Sequence, residues 1–249
     1  MLGAERQEQI LELLRENRRA SVELLSEKLY ASAATIRRDL AEMDERKLLR
    51  RVRGGAELID GMNRDTPLLV RANKNRALKE KIAALALRFA RGKRTMFLDS
   101  SSTVTALAER MDEFRNITAI CSGMATLRLL NERATAELIC CGGTVVNNSS
   151  LVGREAVHTI ESYHADVCFF SCCGLSLACG ATEAQEENAA VKKAMCENAG
   201  LRVLLCDSTK FGRNFFCRSC GFGDIDAIVT DKKPDAEFLQ SVPCEIVYE

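Results

Sequence analysis

From residue 76 onward, short apolar runs alternate with stretches of helical period, and this alternation restricts the fold more than any other feature of the chain. Thr95–Leu98, Ile117–Cys121, Ala136–Cys140, Val167–Ser171, Arg202–Cys206, Ala227–Thr230 and Glu245–Val247 are too short for helices and read as strands. Between them lie helical patterns at Leu78–Arg91, after the turn Asp99–Thr103, at Met124–Asn131 and along Glu183–Ala199. Strands separated by helices pair in parallel and carry helices on both faces. The expected class is α/β: a larger C-terminal, mostly parallel domain over residues 76–249, preceded by something smaller.

Residues 1–59 follow a different rhythm. A helix is expected from about Glu5 to Glu16, with Ile10, Leu13 and Leu14 on its inner face. Ser21 can cap a second helix carrying Leu24, Leu25 and Leu29, and Ser32 a third from Ala33 to about Lys47. Leu48–Val52 and Ala56–Ile59 read as a ribbon turned by Gly54-Gly55. Three short helices followed by a Gly-tipped ribbon make a winged helix-turn-helix. Residues 60–75 have the polar and Pro content of a linker.

The third helix carries Thr35-Ile36-Arg37-Arg38-Asp39-Leu40. Ile36 and Leu40, four apart, take the inner face, leaving Thr35, Arg37 and Arg38 to other faces. A recognition helix presents its N-terminal residues to base edges in the major groove, and Arg serves there as a guanine fork or a phosphate clamp. Arg46, Lys47, Arg50, Arg51 and Arg53 then follow with no acid between 46 and 56. Alternation along the wing points Arg51 and Arg53 the same way, toward a phosphate backbone. The competing reading is a solvated charge run, with Glu42 pairing to Arg38 one turn away. The order of capped helices, Arg-bearing helix and basic wing favours duplex DNA, with Ser32, Thr35, Arg37, Arg38, Arg50, Arg51 and Arg53 as candidate contacts.

With these residues in view, the N-terminal stretch resembles the DeoR family of bacterial transcriptional regulators. The likeness rests on Glu5-Arg6-Gln7, Ile10-Leu11, Ser21-Val22-Glu23-Leu24, Ser32 with the Thr35–Leu40 run, and Leu49 through Ala56. Two positions depart: the family's usual Gly is Tyr30 here, and its usual wing His is Arg53. The first alters the helix-helix turn; the second adds charge to the wing.

In the larger domain, polar clusters fall at strand ends, where open parallel sheets bind ligands. Asp99-Ser100-Ser101-Ser102-Thr103 follows a strand and opens a helix, as either a phosphate cradle or an ordinary cap. Cys121-Ser122-Gly123, Cys141-Gly142-Gly143-Thr144 and Asp207-Ser208-Thr209-Lys210-Phe211 occupy similar places. Lys192 and Lys210 read equally as anion ligands or as ordinary lysines. Here too the chain resembles the DeoR family, whose sensor domain is similar to sugar-phosphate isomerases such as ribose-5-phosphate isomerase. Matching segments include Lys81-Ile82-Ala83, Phe97–Ser100 with Thr103, Gly153, Asp166, Gly174-Leu175, Val191-Lys192, Met195 and Lys210-Phe211-Gly212. The resemblance implies an effector pocket of Asp99, Ser100, Ser101, Ser102, Thr103, Ser122, Gly142, Gly143, Lys192 and Lys210, holding a small phosphorylated metabolite. Ser101 replaces the family's usual Gly, Ser102 its Thr, Cys121 its Asn, and Asn188 the Glu four residues before Lys192. The family further implies a repressor of a sugar or carbon catabolic operon, working as a homodimer or homotetramer on an operator.

Composition removes several alternatives. Lys+Arg and Asp+Glu are both 35, so only the distribution of charge can speak for nucleic acid. With no Trp and 5% aromatics, the chain lacks a stacking platform for single strands. No apolar run approaches a membrane span and no secretory segment opens the chain, so a cytoplasmic protein is expected. The 12 Cys lie mostly in apolar settings and read as buried thiols; Cys217-Arg-Ser-Cys220 is one pair where a structural zinc needs four ligands. Neither metal nor cofactor is expected. An isomerase would need an acid where Asn188 stands, so catalysis is not expected either; a thiol-based redox regulator is the third reading.

Overall fold

The computed structural model describes residues 3–45, 48–57, 68–147 and 149–249. The chain divides into two units, Met1–Met62 and Asn63–Glu249.

In the first unit, α1 (Gly3–Asn17), α2 (Val22–Lys28) and α3 (Ala33–Glu45) enclose Ile10, Leu14, Leu25, Ile36, Leu40 and Met43. A three-stranded antiparallel sheet closes the unit, with β1 (Arg19–Ser21) beside β3 (Gly55–Glu57) and β3 beside β2 (Arg50–Val52). The strand β1, absent from the sequence reading, explains the Gly-Gly tip. A Cβ on Gly55 would collide with the Ala20 carbonyl, and Gly54 turns the chain at φ +84. Ser21 caps α2 as expected, its hydroxyl accepting from the Leu24 amide at 3.1 Å. Arg46, Lys47 and the wing's return beyond Glu57 lie outside the described residues.

The second unit contains α4 (Leu68–Asn73), α5 (Arg76–Ala90), β4 (Thr95–Leu98), α6 (Ser102–Ala108), β5 (Arg115–Cys121), α7 (Met124–Arg133) and β6 (Thr135–Cys140). The hairpin β7 (Thr144–Val146) and β8 (Ser150–Val152) follows, then α8 (Arg154–Glu161) and β9 (Val167–Phe170). Next come β10 (Gly174–Ser176), β11 (Gly180–Glu183), α9 (Glu186–Glu197), β12 (Arg202–Leu205), β13 (Cys217–Cys220), β14 (Ala227–Val229), α10 (Ala236–Ser241) and β15 (Glu245–Val247). Two sequence expectations need correction. Leu68–Asn73, within the expected linker of 60–75, is helical, while 60–67 lie outside the described residues. Glu183, expected to begin the long helix, belongs to β11.

Seven strands form one parallel sheet in the order β15-β14-β12-β9-β4-β5-β6. Strand period divides the core between its faces. Met96, Leu98, Val167, Phe169, Val203 and Leu205 pack with Ile82, Ala86 and Leu107 from α5 and α6. The intervening Phe97, Cys168, Phe170 and Leu204 pack with Ile160, Val191 and Met195 from α8 and α9. The chain runs outward from β4 to β6 and returns to β4's other side at β9, so the β4/β9 boundary is a topological switch point, the usual place for a ligand crevice. A separate antiparallel sheet, β10-β11-β13, carries the remaining strands outside the hairpin. All 12 cysteines are free, seven of them buried as small apolar groups, and no metal-binding cluster occurs among the described residues.

Candidate functional site

In the first unit the arginines separate into two groups. Arg37, Arg38, Arg51 and Arg53 are exposed, and Arg38, Arg51 and Arg53 make no side-chain ion pair with any described residue. Ser32 opens α3, its hydroxyl accepting from the Thr35 amide at 3.2 Å and lying 2.8 Å from the Thr35 hydroxyl. Thr35 and Arg38, three apart on α3, share a helix face, and Arg38 makes no ion pair there with a described residue. Arg50 behaves differently. It donates to Glu57, which also holds Arg19 at 2.7 Å, so one carboxylate ties all three strands of the wing sheet together. Hydrogen bonding from Arg50 and the charge of Arg19 hold the Glu57 carboxyl below the usual range. Arg50 thus serves the wing's construction first.

Asp39, the acid inside the Arg-Arg-Asp run, was not singled out from sequence. It is buried and accepts a forked bond from Arg6 on α1, at 2.5 and 3.2 Å. This pair ties α3 to α1 one residue after Arg38, beside the buried Ile36, Leu40 and Met43. Glu42, the imagined partner of Arg38, accepts from Gln7 at 3.2 Å. Tyr30, at the turn before α3, stands at φ +49 with 96% of its surface exposed. The left-handed backbone explains the resemblance's glycine: that conformation costs a non-Gly residue roughly 1–2 kcal/mol.

In the second unit, the ends of β4, β9 and β12 meet around Ser171. Asp99 ends β4 and is fully buried. One of its oxygens accepts from the Ser101 amide at 2.8 Å, the other from the Ser171 amide at 2.9 Å. Lys192 reaches in from α9 and donates to Glu183 at 2.5 Å and to the Ser171 carbonyl at 2.8 Å, with Asp99 at 3.4 Å. Its three N–H donors are occupied. Burial disfavours its charged form, yet Glu183 and Asp99 overcome that and hold the pKa above the ordinary lysine value. Lys210 donates to the Ser171 hydroxyl at 2.9 Å with Asp207 at 3.5 Å, and its side chain keeps 19% exposure. Burial opposes the Lys210 charge as well, but Asp207 raises its pKa; Asp207 in turn is held low by Lys210 despite its own burial.

The expected effector residues consequently differ in their availability. Asp99 and Lys192 are consumed by the buried network. Ser101 caps α6, its hydroxyl accepting from Val104 at 3.2 Å from ordinary backbone at φ −77, so the position does not require the family's glycine. Ser100 and Ser150 share a 2.8 Å hydrogen bond, and the Ser122 carbonyl accepts from Leu151, so the β8 strand covers this end of the sheet. Ser102 and Thr103 are buried, and the Thr103 hydroxyl has no hydrogen-bond partner in the protein. Gly142 and Gly143 sit at φ +74 and +89 where the chain enters the hairpin; a Cβ on Gly143 would strike the Val152 carbonyl. Lys210 retains exposure. Sequence reasoning missed Glu183 and Ser171. The strand-end rule that flagged the other clusters applies equally to Ser171–Gly174 after β9, whereas nothing local marks Glu183. A surface depression of about 580 Å3, lined by Arg91, Arg110, Asp112 and Arg133 among others, shares no residue with this set.

Comparison with known proteins agrees with both halves. Residues 6–61 match the DeoR-like helix-turn-helix domain and residues 74–232 the DeoR C terminal sensor domain. The transcriptional regulator GolR of Listeria innocua is 34% identical over 234 residues, 94% of this chain and 92% of the relative. The transcriptional repressor AccR of Agrobacterium fabrum is 30% identical, covering 91% and 89%, and the L-fucose operon activator of Escherichia coli K12 is 30% identical, covering 96% and 99%. Among solved structures, ribose 5-phosphate isomerase A of Methanocaldococcus jannaschii aligns over 55% of each chain at 15% identity, with a TM-score of 0.41. The relatives are regulators rather than enzymes, and no described helix is long and apolar enough to cross a membrane. Both family models and these relatives are those of DNA-binding transcriptional regulators with a sensor domain: the chain is a member of the DeoR family.

Proposed function

We propose that this regulator represses a sugar or carbon catabolic operon and is released by a small phosphorylated metabolite bound at the β4/β9 switch point. The supporting observation is that Arg38, Arg51 and Arg53 are exposed and make no ion pair with a described residue, in the same unit as Ser32, Thr35 and Arg37. They support a reading in which one small unit offers base-reading and phosphate-binding groups, with Arg50 stiffening the wing. AccR's name supports the repressor sign, and the L-fucose activator's supports a sugar operon. Paired half-sites are read through two-fold symmetry, so the working species is a homodimer or a pair of dimers.

The effector half rests on Lys210, on the unpartnered Thr103 hydroxyl, and on the neighbouring Ser100, Ser102 and Ser122 with Gly142-Gly143 at the rim. Asp99, Glu183 and Asp207 face Lys192 and Lys210, three carboxylates against two ammonium groups. An anion here is met by directed N–H and hydroxyl donors and by Lys210, not by surplus positive charge. Asp99, Ser101 and Lys192 hold the crevice in shape. The ligand acts by binding the DNA-free arrangement more tightly than the DNA-bound one. A thermal-shift screen against sugar phosphates tests this. At a hundredfold excess over Kd, binding adds about 2.7 kcal/mol, enough to raise Tm by roughly 5–10 °C in a domain this size. Lys210→Ala is expected to abolish the rise. A flat response to every phosphorylated sugar, from protein that still binds its upstream DNA, overturns the effector assignment alone.

A further inference from the structure

Of the exposed large apolar side chains of the second unit, which include Met124, Val145, Tyr163 and Tyr248 elsewhere, three belong to the small β10-β11-β13 sheet and the segments that join its strands. Phe216 is 85% exposed, Phe215 42%, and Leu177, in the β10–β11 turn, 37%. The segment carrying both Phe is anchored rather than loose. The Phe215 amide donates to the Thr182 hydroxyl at 3.0 Å, Asn214 bonds the Ser176 hydroxyl, and Gly174 allows the Arg213 carbonyl and the Phe215 ring to lie against β10. The protein therefore holds two aromatic rings in water, an arrangement favoured when another surface covers them.

Charge is arranged asymmetrically about these rings. Arg213 lies on the β10 side. On the β13 side Cys217 pairs with Glu183, and Glu186 and Glu187 follow at the start of α9; burial first, and then these nearby carboxylates, raise the Cys217 thiol's pKa. Arg213, Glu186 and Glu187 are exposed and make no ion pair with a described residue, while Arg218 turns along β13 toward Gly221. A positive group, an aromatic ridge and a negative pair thus follow one another across the sheet end. A two-fold axis through the ridge would bring Arg213 of one copy toward Glu186 and Glu187 of the other, with the rings between them.

We propose that this ridge is an isologous contact through which two copies of the chain pair. The proposal rests on the dimeric reading of paired half-sites given above and adds the surface that makes the dimer. A stable interface buries about 800 Å2 on each partner, and one Phe contributes at most ~200 Å2, so the ridge is the anchor of a wider contact. Central aromatic anchors ringed by charge carry most of the affinity of such contacts.

Sedimentation velocity on the full chain without DNA tests it. Phe216→Asp is expected to weaken the dimer by at least ~30-fold, the loss typical of an anchor residue, with its circular dichroism unchanged because the side chain is exposed in the single chain, and its Tm lowered only at concentrations where the wild type is dimeric. Charge reversal gives a second reading. Arg213→Glu alone and Glu186→Arg/Glu187→Arg alone each weaken self-association, and mixing the two variants restores it as a heterodimer with both charge pairs of the right sign. A Phe216→Asp variant with the wild-type dimer constant, or charge variants that self-associate as the wild type does, overturns the proposal while leaving the dimeric reading intact. A wild-type chain that stays monomeric at every concentration and binds single half-sites overturns both.

Discussion

The two units use positive charge in opposite ways. In the helix-turn-helix unit, Arg38, Arg51 and Arg53 face solvent and make no ion pair with a described residue, while the buried Asp39 holds Arg6 of α1 against α3. In the sensor unit, Lys192 and Lys210 are folded into a network of Asp99, Glu183, Asp207 and Ser171. A surface charge costs little to keep and meets a polyanion directly, with affinity that depends on salt. A buried charge must be neutralised internally, and what it then controls is the arrangement of strand ends around it. The difference separates a unit that displays its charge to solvent from one that uses it to hold strand ends in place.

The comparison breaks most visibly at Lys192. Lys192→Met leaves Glu183 and Asp99 facing each other without a buried cation, a loss of about 3–5 kcal/mol. Chemical denaturation of the sensor unit should register it, while hydrogen exchange in α1–α3 stays at the wild-type level; an unchanged midpoint would show the network to be dispensable. Asp39→Ala is the matching test in the other unit. Removing the acceptor from Arg6 should cost about 3 kcal/mol and release exchange protection across α1 and α3, with DNA affinity lost as the unit loosens. Retained protection together with retained DNA binding would mean that α3 is aimed by apolar packing alone.

How far each unit is legible in sequence follows from the same contrast. The recognition helix, its caps and the turn of the wing are local events within a few residues, so Ser21, Ser32, Ile36, Leu40 and Gly54-Gly55 announce themselves. The parallel strands were equally readable, because a run such as Thr95–Leu98, buried on both faces, has no alternation to confuse it. What stayed hidden was assembled across long separations. Glu183 reaches Lys192 because a β-strand ends where helix was expected, and the β10-β11-β13 sheet joins residues more than 30 apart in sequence from fragments of three or four. Arg50 was expected on DNA because its acceptor, Glu57, sits across a hairpin rather than beside it.

Smaller effects sharpen the picture. Tyr30→Gly relieves a left-handed tyrosine and should raise stability by about 1 kcal/mol, read as a higher unfolding midpoint; a lower midpoint would mean that the exposed ring packs on something the turn needs. Asp226 accepts from the Arg202 side chain and amide at 2.8–2.9 Å, which holds its carboxyl below the usual aspartate value. A depressed acid stabilises the fold above its unfolded pKa of about 3.9, and the stabilisation disappears as pH falls through the lower folded value. Asp226→Asn should therefore lower Tm at pH 7, by an amount on the order of 1 kcal/mol given the pair's partial exposure, and the difference should shrink as pH falls below about 3.9. A pH-independent loss would point to geometry rather than charge.

The most direct test of the regulator's central feature is the salt dependence of its binding to its own upstream duplex, followed by fluorescence anisotropy. The wild-type chain should lose affinity steeply as salt rises. Arg51→Ala and Arg53→Ala should each reduce the slope of log K against log salt by about 1, and Arg38→Ala should cost about 1–3 kcal/mol and relax sequence preference. Salt-insensitive binding, or slopes and preferences unchanged in all three variants while the protein remains folded, would contradict the assignment of these arginines to DNA.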